Sequence, residues 1–556
     1  MSQETGKKIG FWRPELSGLT LNLIVATALM AGYNQTFWVR AYGIFGGDLR
    51  QTLAFGGAAW ALTMVLISAL GFRWLQKGVL VFLILVAAAS SFYLETMGVL
   101  VNREMIQNMM TTTVAESRHL INAAYLGHML IWGILPSALV LLVRVRRTSM
   151  VRAVVAWPVT VAASFALMVG LLYTDYRAFA SVMREHHELL GSYQPGAPIN
   201  GAVKYARMMI GTRDIVAQPL GRDATKGALL AEAKKPVLTV IFVGETARAQ
   251  DFGLNGYVRD TTPELRTRGV INFPDVTACG TSTAVSVPCM FSVFPAASYS
   301  HERHLGSENL LDVLTHAGVT TDWWDNNTGH QGVAMRTPNK MMTADIDPAA
   351  CSEGECTDAV FLAPLRAALA SMTTDTVLVL HSIGSHGPAY HLRYPPEFAR
   401  FSPACQSTDF AKCSPAEIVN AYDNTIVFTD HILSTIIDML AAQDQVIPSM
   451  IYLSDHGESL GENGLYLHAA PGFIAPDVQT KVPMVMWVSD AFQRTMQLDA
   501  ACLGAKAERP TSHDVLFHTV LGLMDVSTEV HDDALDLVAG CRISGQAELV
   551  QPAHRG

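Results

Sequence analysis

The sequence predicts two parts with different folds: an N-terminal all-α transmembrane domain of five helices, followed by an α/β domain. Long apolar runs are confined to the first 177 residues, and short apolar runs alternate with helical stretches from Pro236 onward. Charge changes sign between the parts, because residues 1–177 contain 14 Lys or Arg and 7 Asp or Glu, against 25 and 42 in the remainder. A chain of 556 residues also exceeds one compact domain.

Five apolar runs predict the transmembrane helices, because each approaches the roughly 20 residues that a helix needs to cross a bilayer. Buried helices of a soluble protein are the alternative. We disfavour it because the charges lie at the ends of the runs. The runs are Leu16–Val39, Thr52–Phe72, Gly78–Leu94, Leu120–Val143 and Ala153–Tyr173.

Basic residues set the expected orientation, because cytoplasmic loops carry an excess of Lys and Arg. They precede the first run and lie between the second and third and between the fourth and fifth. We therefore expect a cytoplasmic N-terminus and, after five crossings, a periplasmic remainder at a bacterial inner membrane. The first run is too long for a cleavable signal peptide and lacks an Ala-x-Ala site, so we expect a retained anchor. The residues are Lys7, Lys8, Arg13, Arg73, Lys77, Arg144, Arg146, Arg147 and Arg152.

All eight cysteines follow the membrane part, which predicts disulfides in an oxidising compartment. Sequence alone does not fix the connectivity. Close spacing favours Cys279–Cys289, Cys351–Cys356 and Cys405–Cys413, which leaves Cys502 to pair with Cys541. Thiolate zinc ligands are disfavoured, because no C-x-x-C pair faces another.

We expect residues 178–235 to be a periplasmic bridging helix and linker, and residues 236–556 to be the catalytic domain. Pro and Gly in Tyr193–Pro198 break regular structure. Apolar runs without alternation predict buried parallel strands, and helices between them predict a sheet covered on both faces. The strands are Val237–Val243, Val319–Trp324, Thr376–Leu380, Met450–Leu453 and Pro483–Val488. The helices are Asn309–Ala317, Ala359–Ser371, Glu417–Ala442 and Ser512–Leu523.

Polar side chains follow four of these strands, at the edge where such sheets bind ligands. Each alone is more often a helix cap or a turn residue. Together they converge on one edge of one sheet, which favours a metal or phosphate site. They are Glu245, Asp325, Asn326, Asn327, His381, His386, Asp455, His456 and Glu458.

Glu245, Asp455 and His456 match the ligand types of catalytic zinc with a fourth position open. The carboxylates leave manganese or magnesium as alternatives. The loop from Cys279 to Cys289 contains Thr281 and Thr283, and a metal in contact with either hydroxyl would convert a poor nucleophile into a good one. A polar turn is the plain alternative for this loop.

These residues resemble the phosphoethanolamine transferases of Gram-negative inner membranes, which include lipid A modifying enzymes and mobile colistin-resistance enzymes. The resemblance covers nearly the whole chain, and Cys-Gly-Thr-Ser-Thr-Ala-x-Ser-Val-Pro-Cys is its most specific motif. The matching segments are Val243–Arg248, Cys279–Phe291, Gly384–Pro388, Ser454–Ser459 and His468.

The resemblance implies an alkaline-phosphatase/sulfatase-like domain in which Thr283 is the nucleophile. It implies zinc bound by Glu245, Thr283, Asp455 and His456. His386 and His468 are similar to histidines that bind a second zinc or assist proton transfer. Residues implied to contact the substrate are Asn108, Thr112, Glu116, Thr281, Ser282, Asn327, Gln331, His386 and His468.

One position departs from the family. Where its lipid A enzymes usually carry Lys after Asp-Asn-Asn-Ser-Gly-x, this chain has Gln331. A neutral amide does not pair with phosphate as an ammonium does. His330 or Arg336 are the candidates to replace the charge, and donor or acceptor preference is expected to differ.

The implied reaction is transfer of phosphoethanolamine from phosphatidylethanolamine to lipid A through a phosphothreonine, with lowered affinity for polymyxin. Alternatives are a phosphoglycerol transferase, a core-sugar transferase, a metal-dependent phosphodiesterase or sulfatase, and an inactive scaffold. We expect a monomer in the membrane and no nucleic-acid partner.

Overall fold

A computed structural model describes residues 13–146, 148–352 and 354–543. Contacts divide the chain into two units. The first comprises the chain up to Arg103 together with Ile121–Lys204, and the second comprises Glu104–Leu120 together with the chain from Tyr205 onward. Lys7, Lys8 and Arg147, used above to predict orientation, lie outside the described residues.

In the described part of the first unit, four helices are long and apolar enough to cross a membrane. They match the last four predicted runs and contain 20 to 24 residues each, as a bilayer requires. The third includes a π-helical stretch at Met129–Ile134. The four helices are Leu49–Leu70, Gln76–Met97, Ala123–Leu142 and Met150–Tyr173.

The first predicted run, Leu16–Val39, is not one helix, and this part of the prediction is wrong. The structure has Gly18–Gly32 and then Gln35–Ile44. Asn34 interrupts them, because its buried amide donates to the carbonyls of Leu29 and Gln194, each at 2.9 Å. A helix of 15 residues spans about 22 Å, less than the roughly 30 Å hydrocarbon core.

The segment predicted to bridge the two parts begins as helix. Tyr176–Glu185 and His187–Gly191 precede a break, and Gly196–Thr212 follows it. The non-helical residues are 192–195. Pro198 lies in the first turn of the last helix, where its missing N–H costs no hydrogen bond.

The second unit contains an eight-stranded sheet. Helices of this unit include Thr283–Met290, Leu310–His316, Leu362–Ser371, Pro415–Ala441 and Val515–Leu523. The order across the sheet is Thr511–Ser512, Ile271–Thr277, Lys481–Val488, Ile447–Ser454, Val237–Gly244, Thr376–His381, Thr320–Asp325 and Asn339–Met341.

One predicted strand differs in direction, and three strands of the sheet, Ile271–Thr277, Asn339–Met341 and Thr511–Ser512, were not predicted. Pro483–Val488 was expected to be parallel, but Lys481–Val488 runs antiparallel to Ile447–Ser454. A strand buried on both faces is apolar in either direction, so composition does not reveal its direction. Ile271–Thr277 was missed because Phe273 and Val276 are its only fully buried side chains and Pro274 interrupts the pattern.

The parallel strands end together. His381 pairs in register with Val243 on one side and with Asp325 on the other. Ser454 pairs with Gly244. The residues that follow these ends are therefore neighbours in space, as the sequence predicted.

Four disulfides lie in the second unit, and they join the pairs that spacing favoured: Cys279–Cys289, Cys351–Cys356, Cys405–Cys413 and Cys502–Cys541. The first encloses the loop before helix Thr283–Met290 and most of that helix. It therefore restrains the start of the helix.

Removing the Cys502–Cys541 disulfide by double replacement with Ser should destabilise the second unit by about 4 kcal/mol, because it closes the longest loop, with a separation of 39 residues. The same replacement at Cys351–Cys356, with a separation of 5, should cost about 2 kcal/mol. Denaturant unfolding of the full-length protein in detergent, followed by circular dichroism, measures both. If the two variants lost equal stability, or if the Cys351–Cys356 variant lost more, loop-closure entropy would not be the main source of stabilisation by these disulfides.

Candidate active site

Three buried metal-type side chains meet at the carboxyl ends of two neighbouring parallel strands. Glu245 follows Val237–Gly244, and Asp455 and His456 follow Ile447–Ser454. One ligand atom from each lies within 4.8 Å of the others. The strand register therefore assembles the cluster that the sequence predicted.

The imidazole of His456 presents a lone pair to both carboxylates. Its Nε2 lies 3.3 Å from Asp455 Oδ2 and 3.5 Å from Glu245 Oε1. Its Nδ1 donates to the Gly457 carbonyl at 2.9 Å, which leaves Nε2 unprotonated in the neutral ring. Burial lowers the pKa of His456 to about 4, so the ring is neutral at physiological pH.

Two carboxylate oxygens in this cluster lack a partner. Glu245 Oε1 and Asp455 Oδ2 are buried and accept no hydrogen bond from the described residues. Burial and the nearby Asp455 carboxylate raise the pKa of Glu245 well above its usual range. Because unsatisfied buried oxygens are costly, and a divalent cation would satisfy both, the donor set fits a metal ion.

Thr283 supplies a fourth oxygen. Its Oγ1 donates to Glu245 Oε2 at 3.0 Å and lies 3.3 Å from His456 Nε2. It is the first residue of helix Thr283–Met290, and Ser282 before it is the N-cap, whose carbonyl accepts from Ser286 N at 2.8 Å. The positive end of the helix dipole stabilises negative charge at this position.

Thr281 has a different environment. Its Oγ1 donates to the Ala470 carbonyl at 2.7 Å, and its own carbonyl accepts from Ala469 N. The geometry therefore favours Thr283 as the hydroxyl beside the cluster. Thr281 instead fixes the loop that carries His468.

His386 and His468 lie beside the cluster. The rings of His468 and His456 are 4.6 Å apart, and those of His468 and His386 are 5.4 Å apart. His468 Nδ1 contacts Glu458 Oε2 at 2.9 Å, and Tyr390 donates to the other oxygen of Glu458 at 2.8 Å. Glu458 thereby fixes the orientation of the His468 ring.

Segment Glu104–Leu120 contributes two of its three predicted residues to this region. Glu116 Oε1 lies 3.0 Å from His386 Nε2, and Asn108 Nδ2 lies 3.4 Å from His468 Nε2. Thr112, which directly follows helix Arg103–Thr111, instead donates to the Asn108 carbonyl. Burial opposes ionisation of both members of the Glu116 and His386 pair, but their attraction lowers the pKa of Glu116 and raises the pKa of His386.

Asn327 contacts the cluster and Gln331 does not. Asn327 Nδ2 donates to Glu245 Oε2 at 2.7 Å and to the Ser382 carbonyl at 2.8 Å. Gln331 Nε2 turns back to Thr328, at 3.2 Å from its carbonyl and 3.0 Å from its hydroxyl.

Neither candidate substitute supplies the missing charge. Arg336 forms a two-point ion pair with Asp312 at 2.7 and 2.8 Å. Burial lowers the pKa of His330, which keeps its ring neutral.

Sequence reasoning missed His513. Its Nδ1 accepts from Cys279 N at 3.1 Å and its Nε2 donates to the Ser454 carbonyl at 2.9 Å. Burial lowers the pKa of His513 to about 4. This neutral ring therefore connects the loop before Thr283 to the strand that precedes Asp455. His513 lies in no recognisable motif and far from both segments in sequence, so the sequence did not indicate this role.

A second missed group, Glu355, holds segment Glu104–Leu120 to the rest of its unit. It contacts His119 at 2.8 Å and Arg393 at 3.1 Å. Burial opposes ionisation, but these partners lower the pKa of Glu355 to about 2. Arg393 Nε also donates to the His386 carbonyl at 3.0 Å, so this network supports the catalytic region.

Acid should weaken this network. A carboxyl with a depressed pKa contributes its stability above the unfolded pKa of about 4.5 and loses it as the pH falls through the folded value of about 2. Glu355→Gln should therefore flatten the pH dependence of the melting temperature of the full-length protein between pH 4.5 and 2. An unchanged slope in this variant would assign the acid sensitivity to other carboxyls.

Known protein families match both parts of the chain. The family model described as phosphoethanolamine transferase EptA/EptB matches residues 59–209, and the Sulfatase model matches residues 238–526. Phosphoethanolamine transferase EptA of Escherichia coli strain K12 is 37% identical over 538 residues, 95% of this chain and 98% of the relative. The chain belongs to the phosphoethanolamine transferase family.

Other members agree in sequence and structure. Phosphatidylethanolamine transferase Mcr-1 of Escherichia coli is 35% identical over 93% of this chain and 97% of its own. The integral membrane lipooligosaccharide phosphoethanolamine transferase A of Neisseria meningitidis is 34% identical, covers 95% of this chain and 100% of its own, and gives a TM-score of 0.91.

These matches confirm the α/β sulfatase-like domain and an apolar helical N-terminal part. This member of the phosphoethanolamine transferase family is an integral inner-membrane protein with a periplasmic catalytic domain. The disulfides of the second unit suit that oxidising compartment.

Proposed function

We propose that this protein transfers phosphoethanolamine from phosphatidylethanolamine to lipid A through a phosphothreonine at Thr283. One observation carries the proposal: a buried hydroxyl at the start of a helix lies 3.0 and 3.3 Å from two members of a metal-type cluster. The names of its relatives, which include a Kdo(2)-lipid A phosphoethanolamine transferase, support the substrate class.

We infer that zinc binds Glu245, Asp455, His456 and Thr283. The neutral imidazole favours zinc over magnesium or manganese. Bound there, the ion lowers the pKa of the Thr283 hydroxyl and offsets charge on the phosphoryl oxygens. Asn327 orients Glu245 through its 2.7 Å hydrogen bond, as partners of metal-binding carboxylates usually do.

In the first half-reaction, Thr283 Oγ1 forms a bond to the donor phosphorus and the bond from phosphorus to the diacylglycerol oxygen breaks. The Thr283 proton leaves toward Glu245 Oε2, the atom to which it already donates. The departing oxygen takes a proton from His386 Nε2, which Glu116 keeps protonated. Diacylglycerol is released, and the phosphoethanolamine stays on Thr283.

In the second half-reaction, an oxygen of the acceptor attacks the same phosphorus in line and the bond to Thr283 Oγ1 breaks. Oγ1 takes back the proton held on Glu245 Oε2, and His386 regains its proton from water. His468 Nε2 can accept a proton from an acceptor hydroxyl, because Glu458 fixes the proton on Nδ1. A phosphate acceptor brings no such proton and needs only to be positioned. Adding phosphoethanolamine to lipid A masks a negative charge, which would lower its affinity for cationic peptides such as polymyxin.

We place the acceptor phosphate in a cavity of about 580 Å³ that adjoins Asn327 and Glu116. Of the three acids that line it, Glu116 pairs with His386 and Glu355 pairs with Arg393, whereas Asp345 is exposed and has no ion-pair partner among the described residues. Arg118, on helix Val114–Leu120, lines the same cavity, is exposed, and has no ion-pair partner among the described residues. This guanidinium can supply the charge that Gln331 lacks.

Arg118→Gln should therefore raise the KM for lipid A about tenfold, because the variant loses one charge-assisted hydrogen bond to the acceptor phosphate. Steady-state transfer to lipid A in mixed micelles measures this change. Arg494→Gln, at another exposed arginine, controls for the general loss of charge. Equal KM values in the two variants would remove Arg118 from the acceptor site.

We also propose a cytoplasmic N-terminus and five membrane crossings, of which the first is made by Gly18–Gly32 together with the extended residues Glu15–Ser17 before it. Arg73, Lys77, Arg144 and Arg146 support this orientation, because they lie in the short connections of the bundle. Anchoring beside two lipid substrates raises their effective concentration. We also propose that the protein acts as a monomer.

Mass spectrometry of lipid A, after incubation of the full-length protein with phosphatidylethanolamine and lipid A, tests the function. A phosphoethanolamine increment on lipid A supports it. A glycerol phosphate increment would assign a related transferase instead, and release of free phosphoethanolamine without modified lipid A would assign a hydrolase.

A further inference from the structure

A second cavity, of about 690 Å³, lies at one end of the helices of the first unit. Its walls come from the end of Leu49–Leu70 and the beginnings of Gln76–Met97 and Met150–Tyr173. A short parallel pair of strands, Glu15–Ser17 and Arg144–Arg146, closes another side. Nothing in the phosphotransfer chemistry uses this cavity.

Positive charge dominates the lining. Five cationic residues and one acid face this cavity: Arg13, Arg73, Lys77, Arg144, Arg146 and Glu15. Two of these cations have a polar partner among the described residues. Arg146 lies 3.8 Å from the Glu15 carboxylate, and the Lys77 ammonium donates hydrogen bonds to the Leu141 and Val143 carbonyls.

Three guanidinium groups have no acidic partner among the described residues. Arg13 and Arg144 have no side-chain hydrogen bond or ion pair with the described residues, and Arg73 contacts only the Trp74 ring and the Met150 sulfur. Three cations around one cavity repel each other. An anion between them would convert this repulsion into attraction.

The interior of the cavity is polar and includes an unused donor. Ser68 is 5% exposed, lines the cavity, and its Oγ has no hydrogen-bond partner among the described residues. Gln76, also buried there, donates to the Gly18 carbonyl and to Asn22 Oδ1, each at 2.7 Å. A buried hydroxyl without a partner carries a free-energy cost that a phosphate oxygen would remove.

We propose that this cavity binds the phosphate of an anionic phospholipid. The mouth carries exposed apolar side chains, Leu19 and Trp74, which suit acyl chains beside a head group. Basic pockets between transmembrane helices bind anionic lipid head groups in this way. A zwitterionic head group fits less well, because its own ammonium would meet the excess of guanidinium groups.

Native mass spectrometry of the full-length protein in detergent, with added phosphatidylglycerol or phosphatidylcholine, tests the proposal. Wild-type protein should retain phosphatidylglycerol in preference to phosphatidylcholine. Arg73→Gln with Arg144→Gln should weaken retention of phosphatidylglycerol about thirty-fold, given the usual contribution of a basic residue near an anionic lipid. Arg144→Gln alone, at an exposed position, should weaken it about fivefold and covers the case in which the double variant does not fold.

The matched control is Arg50→Gln with Arg177→Gln, which removes the same charge from the same unit. Both arginines are exposed and neither lines the cavity. Arg50 lies 18 residues before Ser68 along one helix, a distance of about 27 Å. This control should retain phosphatidylglycerol as the wild type does.

Three results would overturn the proposal. Equal weakening in the two double variants would show a general effect of net charge, and no weakening in the cavity variants would show that the arginines do not bind lipid. If glycerol 3-phosphate displaced the lipid at a similar concentration, the ligand would be a soluble phosphate. Because the readout is lipid retention, it is independent of phosphoethanolamine transfer.

Discussion

Thr283→Ala should reduce phosphoethanolamine transfer by at least about four orders of magnitude, because removal of a nucleophile eliminates the covalent route. The substitution removes the only hydroxyl of the cluster that touches both Glu245 and His456 among the described residues. Glu245, Asp455 and His456 remain, so the bound metal should stay near the wild-type content. Lipid A mass spectrometry measures transfer, and elemental analysis of the purified full-length protein measures metal.

Thr283→Ser is the matched control, since it keeps the hydroxyl and loses one methyl group. It should retain measurable transfer and form an adduct. Thr281→Ser provides a second control, because the Thr281 hydroxyl is committed to the Ala470 carbonyl. Transfer by Thr283→Ala at more than about a hundredth of the wild-type rate would show that Thr283 is not the nucleophile.

Asp455→Asn should weaken metal binding strongly and abolish transfer. The change keeps the shape of the side chain, and its remaining carbonyl oxygen can still accept from Thr246 N and His456 N. It removes the charge at the oxygen that lacks a partner, Oδ2. Metal affinity should fall by at least about a hundredfold, more than for loss of a supporting hydrogen bond.

In the metal-free protein, the same substitution should not lower the melting temperature. Without a cation, burial and the Asp455 carboxylate raise the pKa of Glu245, and the second charge destabilises the ionised cluster. Metal-free Asp455→Asn should therefore melt no lower than metal-free wild type. A lower melting temperature together with normal metal content would mean that Asp455 supports the fold rather than the metal.

The sequence predicted the features that depend on local pattern. Glu245 and Asp455 follow apolar strands directly, so parallel pairing of those strands was enough to bring them together. The spacing of Cys279 and Cys289 likewise predicted a disulfide around the loop of Thr283. In each case a short segment carries both the element and the functional residue.

Features that depend on distant contacts were not predicted. The break at Asn34 requires Gln194, which lies 160 residues away. The antiparallel direction of Lys481–Val488 depends on the path of the chain before it. His513 and Glu355 act through partners in other segments, and a lone His or Glu carries no pattern that identifies such a partner.

The most direct test of the account is the mass of the peptide that contains Thr283. Full-length protein should be incubated with phosphatidylethanolamine without an acceptor, quenched in acid and digested. The account predicts a phosphoethanolamine adduct on Thr283 that disappears when lipid A is added before quenching. An unmodified Thr283 peptide in protein that transfers phosphoethanolamine to lipid A, or an adduct on another residue, would contradict it.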